Sequence, residues 1–247
     1  MSSSAARLVI EDRLQLVDEL RREREADPRL GSMVQAIKCF QHDRFARTYA
    51  DLLAGASYRQ AARFFLRELY GPYDFSSRDH QFARIVPALV RIFPREIVST
   101  VERLTCLHAV SEDLDDRMAK AHPGQIVSAS TYGAAWRLVG RAEDRARQLA
   151  WTLDVGFALQ KYTRRPLLRR TLRAMRGPAH AAGLGALQGF LESGFDTFAQ
   201  MPDPDRFLDI VARRERRLMD ELFAGNDTGL SASPSIAERE SAATDGS

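Results

Sequence analysis

Five histidines are the first residues to weigh for chemistry: His42, His80, His108, His122 and His180. His108 and Glu112 are spaced one helical turn apart in "LTCLHAVSEDLDD", so on a helix they project to the same side and could share a metal or border a cofactor pocket. Two ligands make half a metal site, and the plain reading is a polar pair at the border of core and solvent. Di-metal bundles of the ferritin type need a Glu-x-x-His pair on each of two helices, and that motif is missing. A haem reading would take His108 as axial ligand and His80 as its distal counterpart. His80, however, shares its helix side with Arg84, Pro87 and Arg91, opposite Phe82 and Leu89, which turns it toward solvent.

Nucleophilic chemistry has no carrier here. The sequence holds no GxSxG elbow, no HExxH and no cysteine in a catalytic context. Cys39 and Cys106 lack any metal-ligand spacing and read as two free thiols. "GLGALQG" has the wrong spacing for a phosphate loop and follows a helix rather than a strand. No catalytic residue, metal ligand or cofactor is therefore assigned from the sequence, and whether the protein is an enzyme stays open.

The elements that would position these residues are helices. Apolar residues recur every three or four positions, and no alternating strand pattern with hairpin turns is present. The spacing predicts an all-α, single-domain multi-helix bundle of about eight to nine helices over residues 1–225, followed by a disordered polar and acidic tail over 226–247. Expected helices cover residues 5–25, 30–53, 58–69, 77–93, 95–121, 130–161, a short basic stretch after Pro166, 179–193, and a last one from Asp203-Pro204 to Gly225. The 95–121 helix is expected to be acidic on its outer side near Glu112, Asp113, Asp115 and Asp116, and the 130–161 helix to be central. Ala181, Gly185 and Gly189 form a small face suited to close helix approach or self-association.

"FFLRELYGPYDFSSRD", residues 64–79, reads as a corner between two helices. Gly71-Pro72 stops the first, Ser76 or Ser77 caps the second, and Asp79 complements its dipole. The stretch resembles bacterial proteins of the uncharacterised FFLEELY-motif family, through Phe64, Phe65, Leu66, Arg67, Glu68, Leu69 and Tyr70, with Arg67 where the family has glutamate. The likeness continues through "DFSSRD", "ARIVPALVRIFP" and "SEDLD". The resemblance implies no activity and no catalytic residue; Glu68 and Tyr70 are candidates for polar contacts at the corner.

Charge gives one further candidate. The net charge is +3, and arginine supplies 33 of the 36 basic residues, a compositional background rather than a signal. Against it, residues 161–176, "KYTRRPLLRRTLRAMR", carry seven positive residues and no carboxylate. Arg164, Arg165, Arg169, Arg170, Arg173 and Arg176 surround Leu167, Leu168, Leu172 and Met175, a basic amphipathic face able to meet a protein, a nucleic acid or an anionic surface. The competing reading is a solvated face paired with carboxylates of the 95–121 helix.

No stretch of about 18 uncharged apolar residues exists, and acidic residues interrupt the first twenty positions, which predicts no spanning helix, no signal peptide and a cytoplasmic location. The sequence-level expectation is a non-catalytic binding module with a basic surface at residues 161–176, its partner a protein or a second copy. The alternative is a helical small-molecule, metal or haem-binding protein with a pocket near His108 and Glu112.

Overall fold

Local caps set the helix boundaries. Asp27 accepts hydrogen bonds from the amides of Arg29 and Leu30 at 3.0 and 3.3 Å, and Pro28 follows at the first helical position. Ser128 and Thr131 form a reciprocal capping box, and Asp203 accepts from the Arg206 amide at 3.0 Å ahead of Pro204. The computed structural model describes residues 3–69, 72–124 and 126–231. In chain order the helices are α1 (Ser3–Ala26), α2 (Pro28–Thr48), α3 (Ala50–Ala54), α4 (Arg59–Phe64), α5 (Ser76–Ile92), α6 (Arg95–Ala121), α7 (Ala129–Val139), α8 (Ala142–Thr163), α9 (Pro166–Ala174), α10 (Arg176–Ala181), α11 (Gly185–Gln200) and α12 (Pro204–Phe223). A π-helical turn spans Phe65–Leu69 and a 3-10 turn spans Thr228–Leu230.

The expected all-α fold is observed, with no strand among the described residues. The helices are somewhat more numerous and shorter than expected, for local reasons. The chain predicted as one helix over 130–161 breaks at Gly140 and Arg141, both at positive φ (61° and 57°), so α7 and α8 are separate. The expected 179–193 helix likewise begins as α10, turns at Gly183 (φ 69°) and resumes as α11. Gly185 therefore starts a helix, against the ring of His180, rather than continuing a small face with Ala181.

The central element is α6, which packs on α1, α2, α5, α7 and α8. The apolar core falls into three clusters. Aromatic side chains build the first, including Phe45 of α2, Tyr49 at its end, Phe65 of the π-helical turn and Phe207 of α12. A second joins Ile37, Met118, Trp136 and Leu222, and a third joins Ile10 and Leu14 to Val86 and Val98. Close helix approach is required where Gly156 of α8 meets the Leu208 side chain of α12, since a Cβ there would lie 2.5 Å from Leu208 Cδ2.

Residues 226–231, expected at the start of the tail, fold back. Leu230 is buried in the second cluster and Asp227 receives the Arg137 guanidinium at 2.7 Å. The rest of the expected tail, 232–247, lies outside the described residues, as do Tyr70 and Gly71 of the corner.

Candidate functional site

The longest helix carries charged residues on a face that the packing encloses. Glu112, Asp115 and Asp116 of α6 are buried, at 7%, 7% and 2% exposure, where the sequence pattern predicts an acidic outer surface. Cations from α1 and α2 explain the difference. Arg24 donates to the Glu112 carboxylate, to the Glu112 carbonyl at 2.9 Å and to Asp116 Oδ1 at 3.2 Å; Lys38 donates to the second Glu112 oxygen at 2.5 Å. A polar seam, paired across helices, thus replaces part of the apolar interface of α6.

Next to this seam lies a cavity of about 200 Å3. One part of its wall is apolar: Leu14 from α1, Phe82, Ile85 and Leu89 from α5, Val101 and Leu104 from α6, and Leu187, Phe190 and Leu191 from α11. The other part is polar, formed by Lys38 and Gln41 of α2, His108, Ser111, Glu112 and Asp115 of α6, and Gln148 and Thr152 of α8. Positions 108, 111, 112 and 115 recur at helical spacing, so one stripe of α6 supplies half of this polar floor.

Four residues of the corner also line this cavity: Glu68, Phe75, Arg78 and Asp79. Asp74 does the capping expected of the serines, accepting from the Ser76 amide and hydroxyl, both at 2.8 Å. Asp79, expected to act on the helix dipole from the surface, is buried instead. It receives Arg21 of α1 and stands 2.8 Å from His108 Nε2. Arg78 lies between two rings, 4.1 Å from the centre of Phe75 and 4.3 Å from that of Phe190, and donates to the Glu68 carbonyl at 3.3 Å. The π-helical turn Phe65–Leu69 opens this segment with wider, i→i+5 bonded backbone, a local geometry that recurs at functional sites.

Burial and charge act on these groups in opposite directions. For Glu112, burial works against ionisation, but Lys38, His108 and Arg24 outweigh it and hold the carboxyl down at about 2. For Asp79 burial again opposes the charge, and the hydrogen bonds and charges of His108 and Arg21 prevail, keeping it below the usual carboxylate range. In Asp115 burial wins and pushes the carboxyl up, with Lys38 opposing it. Burial also raises the Tyr132 phenol and lowers the Arg78 guanidinium. Two carboxyls one turn apart on α6 are therefore driven toward different protonation states, and a histidine with a carboxylate partner lies one turn further back. Such an arrangement can bind a polar group and can donate or accept a proton.

His108 and Glu112, the pair named from the sequence, both reach the cavity, but among the described residues no hydrogen bond joins them. His108 engages Asp79, and both Glu112 oxygens are taken by Arg24 and Lys38. Among the described residues no group of three or more His, Cys, Asp or Glu side chains is placed to hold a metal ion. His80 is largely exposed on the outside of α5, as expected, 3.7 Å from Asp18.

The basic segment lies apart, along α9 and its flanks. Arg169 and Arg173 stand 2.6 and 3.6 Å from Asp196, Arg176 pairs with Glu192, and Arg165 lies 3.5 Å from Glu96, which also receives Lys161. The carboxylates that meet it come from α11 and the start of α6, not from the acidic end of α6. Arg164 and Arg170 remain exposed.

Sequence reasoning missed Asp79, Asp115, Gln41, Gln148 and Arg78. One signal was available: four carboxylates within five positions of the longest helix, matched by cations in the first two helices. No helix among the described residues is long and apolar enough to cross a membrane.

Residues 20–229 match a family described as a domain of unknown function, DUF8198. No curated protein and no solved structure matches the chain at a significant level.

Proposed function

Because the chain belongs to the DUF8198 family, whose description assigns no activity, the reading rests on the site itself, and we propose that the protein binds a small amphipathic organic molecule in the cavity between α1, α5, α6, α8 and α11. The observation that carries this is the division of the cavity wall. Aliphatic and aromatic side chains line the cavity together with polar groups of α6, α2 and α8, the composition that orients a ligand with an apolar body and one polar end. The size agrees: a closed cavity of about 150 Å3 accommodates benzene, and this one is larger. The FFLRELY corner then serves as the rim, with Glu68, Phe75 and Arg78 at the cavity wall.

A role as a docking module through residues 161–176 has weaker support. Arg165, Arg169, Arg173 and Arg176 already face carboxylates of the same chain, which reduces the charge they offer a polyanion.

The test is a fluorescence titration with N-phenyl-1-naphthylamine, a neutral dye that brightens in apolar surroundings, on the wild-type protein and on Leu104→Trp, which fills the apolar half. Saturable brightening in the wild type and its loss in a folded Leu104→Trp supports the reading. Equal brightening in both proteins, or none in either, refutes it.

A further inference from the structure

The hydrogen bonds already made in the polar floor determine what it still offers. Ser111 donates its hydroxyl to the Leu107 carbonyl at 2.8 Å, so its oxygen must accept from Gln148 at 2.7 Å; that fixes Gln148 Nε2 toward Ser111 and leaves Gln148 Oε1 without a partner among the described residues. Gln41 donates Nε2 to Asp115 Oδ1 at 2.8 Å and lies 3.3 Å from the Tyr132 hydroxyl, leaving Gln41 Oε1 open. Asp115 spends one oxygen on Gln41 and has no hydrogen bond to Oδ2 among the described residues.

Three open positions, Asp115 Oδ2, Gln41 Oε1 and Gln148 Oε1, thus lie on residues that line one cavity; the two amide oxygens are acceptors, and so is the carboxyl oxygen whenever Asp115 is ionised. Asp115 is also the carboxyl of this floor to which no cation among the described residues donates. Lys38 is taken by Glu112, and Arg145 stacks 3.8 Å above the Trp136 ring with Nε and Nη2 bonded to nothing among the described residues. A buried carboxylate with an unfilled oxygen beside neutral acceptors lacks a positively charged donor.

We propose that the polar floor is an ammonium site, so that the ligand is an amphipathic amine whose protonated nitrogen meets Asp115 Oδ2 and whose apolar body lies against Phe82, Leu89, Val101 and Leu104. This rests on the cavity reading above and narrows it to one ligand class. Arg78, stacked between Phe75 and Phe190, is the competing anchor and would favour a carboxylate instead. The floor outweighs it because Asp115 is the more deeply buried, and Arg78 is already met by two ring faces and the Glu68 carbonyl.

The experiment is calorimetric titration of the purified full chain with n-octylamine, 1-octanol and octanoate, which share one tail and differ in the head. The expected order is amine tightest, by about tenfold or more over octanol, as one charge-assisted hydrogen bond implies. Asp115→Asn should remove that advantage while leaving octanol affinity within about twofold. Octanoate or octanol binding as tightly as the amine overturns the ammonium site and leaves the cavity reading standing. Failure of all three to bind removes both. The wild-type comparison needs no variant, and circular dichroism verifies that Asp115→Asn is folded; an unaltered amine preference in that variant also overturns the proposal.

Discussion

His108 Nε2 and Asp79 Oδ2 lie 2.8 Å apart, and the same carboxylate receives Arg21, so one buried side chain fastens α5 to both α1 and α6 at the cavity wall. Replacing it leaves Arg21 without its main counter-charge in a mostly buried position. Asp79→Asn is expected to cost about 2 kcal/mol of stability, below the range for fully buried pairs because Arg21 retains some solvent contact and Asp18 nearby. Chemical denaturation checks this; a loss under about 0.5 kcal/mol, the size of an ordinary surface substitution, would mean the junction is not structural.

Acid should act on the same carboxyls. Asp79 and Glu112 both have folded-state values depressed below their unfolded ones, Glu112 to about 2. A depressed carboxyl contributes stability that is present above the unfolded value and disappears as pH falls through the folded one. The melting temperature should therefore decline from about pH 5 down to about pH 2, and Glu112→Gln, already destabilised at neutral pH, should decline less steeply. Parallel acid profiles for the two proteins would show that Glu112 is not held ionised by Arg24 and Lys38.

Asp115 has the opposite sign. Its folded value is raised, so the folded state holds a proton more tightly than the unfolded chain, and the ionised carboxyl is a burden that grows as pH rises through that window. Asp115→Asn is expected to raise the melting temperature at pH 7 to 8, with the gain shrinking below about pH 4, where the wild-type carboxyl is protonated in both states. A variant less stable than wild type at pH 8, yet equal to it in acid, would indicate that Asp115 is already compensated.

Helix approach gives a prediction independent of charge. Gly156 of α8 leaves no room for a Cβ against buried Leu208 of α12. Glycine to alanine in a helix interior ordinarily adds up to about 1 kcal/mol of stability. Here overpacking should reverse the sign, and Gly156→Ala should lose about 1 to 2 kcal/mol in a denaturation curve. A stabilised variant would show that the two helices are free to separate.

Most of the helices were legible because their apolar residues recur at 3.6-residue spacing and their ends carry caps such as Asp27 and Asp203. The break between α7 and α8 was not, because Trp136, Val139, Ala142 and Ala146 stay in helical phase across it, and only the positive φ of Gly140 and Arg141 reveals the turn. The floor of the site was half legible. The spacing of His108 and Glu112 placed them on one face, but their partners Asp79, Arg24 and Lys38 come from other helices, at sequence separations of 29, 88 and 74 residues. A carboxylate that packs against a cation from a distant helix has the same local sequence signature as one that faces water. Asp115 and Asp116 were therefore assigned outward and are buried.

The most direct test of the cavity as a ligand site is methyl-resolved NMR of the leucine and isoleucine side chains during titration with n-octylamine. Saturable shifts concentrated at Leu14, Ile85, Leu89, Leu104 and Leu187, with Leu167 on the outer face of α9 unmoved, are what the account predicts. Shifts confined to Leu167 and its neighbours, or no saturable shift at the cavity methyls, would contradict it.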